Sequence, residues 1–359
     1  MRVGHSPELP FLITGRSMIL SLSDLGWSSH FAAQHAADPT GLPFRITAVH
    51  RDRLIGLSPD GEAPLLTPGE PTGTYAVGDW VLTDETGRVR HLLDRRSLLQ
   101  RRAAGTGATA QLIAANVDVL FIASSCNADF NLPRLERYLA LAHQAGCYPV
   151  IVLTKSDMCD DTESYVQQAG ALAPFLTVLA INALDPADIE QALAWCPKGQ
   201  TGALVGSSGV GKTTLANGMT GQDLATSGIR EDDARGRHTT TARALHRMRN
   251  GGWLIDTPGM RALRLLDARD GVDEVFSDIS ELSLSCRFSD CQHDTEPDCA
   301  VQAAISNGVL DPARLERWRK LRREDQRNSA SVAQARARDK AFGKMVRGIL
   351  HEKKSRKGL

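Results

Sequence analysis

One glycine-rich stretch carries the clearest chemistry in the chain. Residues 206–213 read Gly-Ser-Ser-Gly-Val-Gly-Lys-Thr and fit the pattern GxxxxGK[ST] in full. The stretch lies between a short apolar run and a predicted helix, Thr213–Met219, which is the context that this motif requires. In such a loop the backbone N–H groups surround a β-phosphate, Lys212 can reach the β- and γ-phosphates, and Thr213 can offer its hydroxyl to Mg²⁺. The motif predicts a nucleoside triphosphate site. The predicted residues are Gly206, Ser207, Ser208, Gly209, Val210, Gly211, Lys212, Thr213 and Thr214.

A second phosphate-binding element follows the glycine-rich stretch. Residues 256–259 read Asp-Thr-Pro-Gly and come at the end of a predicted strand, Trp253–Asp256. A carboxylate at this place, Asp256, can hold Mg²⁺ through a water molecule, and the N–H group of Gly259 can donate to a γ-phosphate.

Two further polar segments bear on which base is bound. Thr154-Lys155-Ser156-Asp157 closes a predicted strand at residues 149–153, and Asn182-Ala183 closes another at residues 175–181. They look like the base-recognition elements of GTPases. Asp157 can accept from the N1–H and 2-amino groups of guanine, a donor pair that adenine lacks. The Lys155 stem can lie across the base, and the N–H of Ala183 can bond the guanine carbonyl. Thr154 stands where asparagine is usual.

Three of the seven cysteines fall close to a histidine. The pattern Cys286-x4-Cys291-x-His293-x5-Cys299 places three thiols and one imidazole within fourteen residues. Zn²⁺ takes four such ligands in a tetrahedron, and a site with four protein ligands has no open position for catalysis. The spacing therefore predicts one structural zinc ion.

The pattern of apolar runs and turn residues predicts the strands and helices that could position these groups. Between residues 44 and 102, short β-like runs alternate with turn residues, which predicts a small β-barrel. From residue 117 to residue 256, predicted strands alternate with predicted helices, which indicates a parallel sheet with helices on both faces. The sequence therefore describes a multidomain protein.

The charge of the chain is balanced overall but unevenly placed. Among 359 residues, 42 Lys and Arg balance 42 Asp and Glu, yet residues 314–359 alone carry a net charge of +11. Such a segment suits RNA phosphates, although a solvated helix with a disordered end has the same composition. The basic side chains in question are Arg314, Arg317, Arg319, Lys320, Arg322 and Arg323 on a predicted helix, and Lys353, Lys354, Arg356 and Lys357 at the end.

Composition excludes several classes of protein. Hydrophobic residues make up 42% of the chain and charged residues 23%, which excludes a disordered, collagen-like or disulfide-scaffold protein. No apolar run approaches the roughly 18 residues of a membrane span, and no signal peptide is evident. We expect a cytoplasmic protein with reduced thiols and no membrane contact.

The order of the nucleotide motifs identifies a family. In Ras-like enzymes the glycine-rich loop comes first and the base elements last, whereas here the base elements precede residues 206–213, so the motifs are circularly permuted. This order, the segment Gly236-Arg237-His238-Thr239-Thr240-Thr241, the barrel ahead and the cysteine cluster behind resemble the RsgA (YjeQ/YloQ) family of small ribosomal subunit biogenesis GTPases. The resemblance covers roughly residues 25 to 320.

The resemblance implies a fold and a division into domains. An N-terminal OB-fold β-barrel would precede a circularly permuted α/β P-loop GTPase domain and a C-terminal zinc-binding helical domain. The implied segments are an extension (1–40), the OB-fold RNA-binding domain (41–105), the GTPase domain (106–272), the zinc-binding domain (273–320) and a basic helical tail (321–359).

The resemblance also implies an activity and its residues. The chain would hydrolyse GTP with Mg²⁺, bind the small (30S) ribosomal subunit and its 16S rRNA, and assist late maturation as a monomer. Thr240, with Thr213, would bind Mg²⁺. Met260 stands where Ras-type enzymes place the glutamine that orients water, so His238 is the candidate for that task; His238, Lys212 and Thr240 are the predicted catalytic residues.

Two other readings of the sequence stay open. One is an RNA-binding module that is gated by GTP and whose hydrolysis is incidental. The other is a P-loop kinase or ATPase, for which the only supporting feature is Thr154 at the position where GTPases usually have asparagine.

Overall fold

A computed structural model shows how these segments fold. It describes residues 20–102, 110–224, 244–256, 265 and 267–329. Within this part of the chain, a β-barrel is followed by an α/β sheet and then by a group of C-terminal helices. None of the described helices combines the length and the apolar content that crossing a bilayer requires.

Five antiparallel strands form the barrel near the N-terminus. They are β1 (Leu42–Val49), β2 (Leu54–Ser58), β3 (Gly61–Leu65), β4 (Trp80–Thr83) and β5 (Val89–Leu92). β1 pairs with β2 and β4, β2 pairs with β3, and β4 pairs with β5. A parallel bridge between Leu66 and Arg88 joins the end of β3 to the start of β5. These pairings close a five-stranded barrel of the kind expected for an OB-fold.

A short helix, α1 (Ser29–His35), covers one side of the barrel. Phe31 is buried, and the Trp27 ring meets Trp80 edge-on at 4.8 Å between ring centroids. The apolar face of α1 therefore packs against β4 of the barrel, with 5.9 Å between the ring centroids of Phe31 and Trp80.

The α/β sheet lies at the centre of the molecule. Its strands follow the spatial order β10-β9-β8-β11-β13-β12, and all but β12 run parallel. Every residue of β8 and β11 is buried, as expected for central strands with helices on both faces. The strands are β8 (Val119–Ser125), β9 (Tyr148–Thr154), β10 (Thr177–Ile181), β11 (Thr201–Gly206), β12 (Ala244–Arg247) and β13 (Trp253–Asp256). The helices are α2 (Leu132–Ala145), α3 (Thr162–Gly170), α4 (Pro186–Leu193) and α5 (Lys212–Thr220).

The barrel and the sheet are joined by backbone and side-chain contacts. β1 pairs with β12 at Ala48 and Ala244, so that one continuous sheet runs through both parts. The buried guanidinium of Arg45 donates to the carbonyl of Leu25 at 2.6 Å and to the hydroxyl of Thr201, at the start of β11, at 2.5 Å. Burial lowers the pKa of Arg45 to about 10, and its two acceptors offset part of the cost of desolvation.

A two-stranded ribbon lies between the barrel and the sheet. It pairs β6 (Leu98–Arg102) with β7 (Ala110–Ala115) in antiparallel register, and α2 packs against it.

The C-terminal part is helical. Its helices are α6 (Arg269–Val275), α7 (Ser277–Ser283), α8 (Ala300–Ser306) and α9 (residues 312–329). Extensive contacts join α6 to α2, and hydrophobic residues of α6–α9 belong to the same core as those of α2 and the sheet. The zinc-cluster segment therefore packs on the face of the α/β sheet that carries α2.

Several arginines of the basic helix are bonded to acidic residues of other helices, so only part of its charge is available to RNA. Arg317 donates to both carboxylate oxygens of buried Glu136 on α2, at 2.9 and 3.0 Å. Arg314 bonds Asp278 at 2.6 and 3.0 Å, and Arg322 bonds Asp273 at 2.9 and 3.0 Å. Burial raises the pKa of Glu136, and the hydrogen bonds from Arg317 oppose that rise. These three arginines therefore fasten α9 to the rest of the molecule.

Candidate nucleotide site and metal centre

The predicted nucleotide motifs follow neighbouring parallel strands at the point where each strand ends. β9 ends at Thr154, β10 at Ile181, β11 at Gly206 and β13 at Asp256. Because these strands are parallel, their carboxyl ends lie along one edge of the sheet. Successive strands are added on one side of β8 and then on the other, so the strand order reverses between β8 and β11, which is where open α/β sheets bind ligands.

Residues 206–211 form the loop that the glycine-rich motif predicts. Gly206, Gly209 and Gly211 have φ angles of 145°, 79° and 85°, which side chains rarely allow. A Cβ on Gly206 would lie 2.3 Å from the carbonyl oxygen of Ala123, so this position requires glycine for space as well as for conformation. Ser208 and Gly209 are exposed at the tip of the loop, and Val210 is buried beneath it.

Lys212 begins helix α5 and turns back over the loop. Its ammonium donates to the carbonyl oxygen of Gly206 at 2.9 Å and to that of Ser207. Thr213 and Thr214 follow in the first turn, half-buried. The N-terminal N–H groups of α5 thus adjoin the loop, an arrangement that attracts phosphate.

The first base element is tied to this loop by two side chains. Thr154 is 1% exposed, and its hydroxyl lies 2.6 Å from the Val210 carbonyl oxygen and 3.0 Å from that of Ser124. Lys155 has a left-handed backbone (φ 59°), and its ammonium donates to the Gly209 carbonyl oxygen at 2.9 Å. Thr154 therefore acts behind the site by holding two loops together. Asp157 stands exposed in the following 3-10 turn, Ser156–Met158.

The second base element is fixed by its own turn. The N–H of Asn182 donates to Asp188 at 2.7 Å, and the Asn182 side chain accepts from the N–H of Leu184 at 3.0 Å. Ala183 lies between them, and a Cβ on Gly218 of α5 would lie 3.6 Å from its carbonyl oxygen. The structure thus places Asn182 and Ala183 beside the helix that carries Lys212.

Several predicted residues are only partly placed. Asp256 ends β13, and its backbone pairs with Ala244. His238, Thr240 and Gly259 lie outside the described residues, and their roles stay predictions.

Sequence reasoning missed one residue at this site, Arg134. Asn131 caps α2 by accepting from the N–H of Arg134 at 3.0 Å, and the Arg134 guanidinium donates to the hydroxyl of Ser207 in the glycine-rich loop. The Asn-x-Pro pattern at residues 131–133 signals where the helix starts, but it does not indicate that the helix meets a loop seventy residues further on.

The four predicted metal ligands come together in space. The ligand atoms of Cys286, Cys291, His293 and Cys299 all lie within 4.8 Å of one another. The sulfur of Cys286 is 3.8 Å from the sulfur of Cys299, and the His293 Nδ1 is 3.6 and 3.5 Å from these two sulfurs. A zinc tetrahedron with bonds of about 2.3 Å to sulfur and 2.0 Å to nitrogen has sulfur–sulfur edges of about 3.8 Å and sulfur–nitrogen edges of about 3.5 Å. The donor set therefore fits one structural Zn²⁺.

Surrounding groups orient these ligands. Cys299 caps α8, and its sulfur accepts from the N–H of Gln302 at 3.5 Å, a contact that favours the thiolate. The carbonyl of His293 accepts from the side chains of Arg319, at 2.5 Å, and Gln302. Burial lowers the pKa of His293, which favours the neutral imidazole that binds metal. The cluster is thus fastened to α8 and α9.

Comparisons with known proteins decide which family this architecture represents. The model of the RsgA GTPase family matches residues 92–266. The small ribosomal subunit biogenesis GTPase RsgA of Mesorhizobium japonicum is 54% identical over 316 residues, which cover 86% of this chain and 91% of the relative. The chain belongs to the RsgA GTPase family. RsgA 2 of Vibrio parahaemolyticus is 46% identical, with coverage of 93% and 94%.

Solved structures agree with the fold. YjeQ from Thermotoga maritima matches 78% of this chain and 96% of its own with a TM-score of 0.56 at 23% identity. YloQ, described as a circularly permuted GTPase, matches 83% of this chain and 96% of its own with a TM-score of 0.57 at 22% identity. The predicted family resemblance and fold class are confirmed. As an RsgA-family member, the chain is a GTP hydrolase, and GTP binds in this family with Mg²⁺.

Proposed function

We propose that this chain hydrolyses GTP on the small ribosomal subunit and assists a late step in the maturation of that subunit. The proposal draws on the relatives, which are named small ribosomal subunit biogenesis GTPases. The observation that carries the nucleotide part is the linkage of two loops: Thr154 and Lys155, beside Asp157, bond directly to the glycine-rich loop. A base and its phosphates would therefore be held by one connected unit.

The residues divide the recognition of GTP among themselves. Asp157 accepts from the N1–H and 2-amino groups of guanine, and Lys155 lays its alkyl stem across the base. Ala183 offers its N–H to the guanine carbonyl, while Asn182 shapes the turn. N–H groups of residues 206–213 and the Lys212 ammonium bind the β- and γ-phosphates. Thr213 and Asp256 would hold Mg²⁺, which supplies positive charge against the phosphate oxygens.

We assign the orientation of the attacking water to His238, because Met260 at the usual glutamine position cannot hydrogen-bond a water usefully. Thr240 would join Thr213 as a ligand of Mg²⁺. Replacing His238 by alanine is expected to leave GTP affinity nearly intact and to lower turnover by about 100-fold, since positioned acid–base groups contribute that much. Single-turnover hydrolysis and GTP affinity, measured separately, check this. An equal loss of affinity and turnover contradicts the assignment.

The feature that suggests RNA as a partner is the β-barrel. We propose that residues 41–105 contact 16S rRNA, as OB-folds do with oligonucleotides, while residues 106–272 act as the GTPase domain and 273–320 as the zinc-binding domain. The basic segment 321–359 would add phosphate contacts. The protein would work as a monomer in the cytoplasm, where the subunit is assembled.

The test is GTP turnover with and without purified small subunits, at increasing salt concentration. We expect turnover to rise by at least tenfold with subunits and the stimulation to fade as salt weakens phosphate contacts. If small subunits do not stimulate turnover, the ribosomal part of the proposal is wrong and the GTPase activity is unaffected by that result. Unchanged turnover with GTP-dependent affinity for RNA would instead favour a gated binding module, and competition of GTP binding by ATP would favour an ATPase.

A further inference from the structure

A groove of about 490 Å³ runs between α2 and α9. The first half of α2 forms one wall, and the middle of α9 forms the other. Five of its lining residues are basic: Arg134 and Arg137 on α2, and Arg317, Lys320 and Arg323 on α9. In each wall the basic residues recur every third position, so they project along the same side of their helix.

The acidic residues of the groove are already engaged. Buried Glu136 receives both hydrogen bonds from Arg317, and Glu316 pairs with Arg319 at 2.5 Å. Glu324, close by, pairs with Arg137. The lining therefore retains a surplus of positive charge.

That surplus is accessible. Lys320 and Arg323 are exposed, and neither forms an ion pair with any residue that the structure describes. The nitrogen Nε of Arg137 is buried with no hydrogen-bond partner among the described groups. Unlike Arg314, Arg317 and Arg322, which fasten α9 to other helices, Lys320 and Arg323 form no hydrogen bond to another element among the described residues; Arg323 donates only to the Arg319 carbonyl oxygen of its own helix, at 3.2 Å.

One end of the groove reaches the nucleotide site. Arg134 lines the groove, and its guanidinium donates to the hydroxyl of Ser207. The capped N-terminus of α2 at Asn131 adds the positive end of a 14-residue helix.

We propose that this groove binds the phosphodiester backbone of RNA, an inference that rests on the proposed function and specifies one of its contact surfaces. Lys320 and Arg323 are about 4.5 Å apart along the axis of α9, so their two charges can meet adjacent phosphates of one strand. A row of cations matches such a series of charges. The lining offers no aromatic side chain for a base, so recognition is by charge and not by sequence.

The experiment measures the affinity of the full chain, saturated with a non-hydrolysable GTP analogue, for a short labelled single-stranded RNA at several salt concentrations. The test variant is Lys320→Ala with Arg323→Ala. We expect its affinity to fall on the order of tenfold at 0.1 M salt, and the slope of log affinity against log salt to flatten by about 1.4, or 0.7 for each lost phosphate contact.

A matched control removes the same charge elsewhere. Lys198 and Arg249 lie at the opposite edge of the sheet, before β11 and after β12, with side chains 62% and 44% exposed. Lys198→Ala with Arg249→Ala is expected to leave the affinity and the slope for RNA unchanged. A fall in RNA affinity of equal size in both double variants would show a general effect of charge and would overturn the proposal that the groove binds RNA.

The remaining outcomes are also decisive. An unchanged slope in the Lys320/Arg323 variant, or wild-type protein that does not bind RNA, overturns the inference. A variant that loses affinity for pyrophosphate but keeps its affinity for RNA also overturns it, because the groove then serves a small anion. A failure of the proposed function would be detected by a different measurement, namely GTP turnover that does not increase when small subunits are added.

Discussion

Replacing Cys299 by serine, or stripping the metal with a chelator, is expected to unfold the segment from α7 to α8 and to loosen α9. Cys299 is a predicted zinc ligand and the cap of α8, and His293 lies against Trp318 of α9 with 5.6 Å between ring centroids. Structural zinc contributes about 10–16 kcal/mol to small zinc-binding folds, which matches or exceeds the stability of a typical domain. Limited proteolysis should therefore cut between residues 277 and 312, and far-UV circular dichroism should show a loss of helix.

The matched control for this prediction is Cys159→Ser. Cys159 is a partly exposed thiol that is not part of the cluster, so its replacement should leave metal content and protease resistance at the wild-type level. Metal analysis of the wild-type protein should give one zinc per chain. Freshly purified protein without zinc, or a Cys299→Ser variant as protease-resistant as the wild type, would contradict the assignment.

Replacing Lys212 by alanine is expected to weaken GTP binding by at least 100-fold. The Lys212 ammonium is held over the loop by the carbonyls of Gly206 and Ser207, where it would meet the β- and γ-phosphates. Charge-assisted hydrogen bonds contribute about 1.5–3 kcal/mol each, so the loss of two costs about 3 kcal/mol or more, and each 1.4 kcal/mol is a factor of ten. Isothermal titration with GTP measures the change directly.

Lys198→Ala removes the same charge far from the loop and serves as the control. Its side chain is exposed and pairs with Asp24, so GTP affinity should not change. Equal affinities in wild type and Lys212→Ala would mean that the glycine-rich loop does not bind the triphosphate.

The parts that sequence predicts well are those where local chemistry dictates local structure. The glycine-rich loop needs positive φ angles at three glycines, and the sequence supplies glycine at each of them. The metal ligands lie within fourteen residues, so their convergence needs only one short turn and the start of α8. The apolar run at β8 has no other plausible place than the middle of a sheet.

Other features depend on partners that lie far away in sequence. β3 contains Glu62 and Pro64, which obscure its strand pattern, and it exists because the hairpin turn after Ser58 brings it onto β2. β12 has only four residues, and its pairing with β13 imposes the strand. The ribbon β6–β7 joins residues on either side of the predicted domain boundary at residue 105.

For the basic helix α9, the sequence likewise shows which charges are present but not which of them are paired. Composition shows that α9 is rich in arginine, but it does not show that Arg317 meets a glutamate 181 residues earlier. Its acidic partners lie on α2, α6 and α7, elements that are distant in sequence and adjacent only in the fold. A count of charges therefore overstates how many of them are available to RNA.

The junction between barrel and sheet has a consequence for how the protein meets a large partner. The shared ladder at Ala48 and Ala244, with Arg45 bonded to Thr201, joins the barrel and the sheet directly and not only through the connecting chain. Two contact surfaces on parts that are joined in this way keep a more constant separation than surfaces on a flexible linker, and a partner gains the avidity of both only if its own two sites are spaced to match. For the small ribosomal subunit, the proposed partner, binding strength would then depend on the distance between the two sites on the subunit.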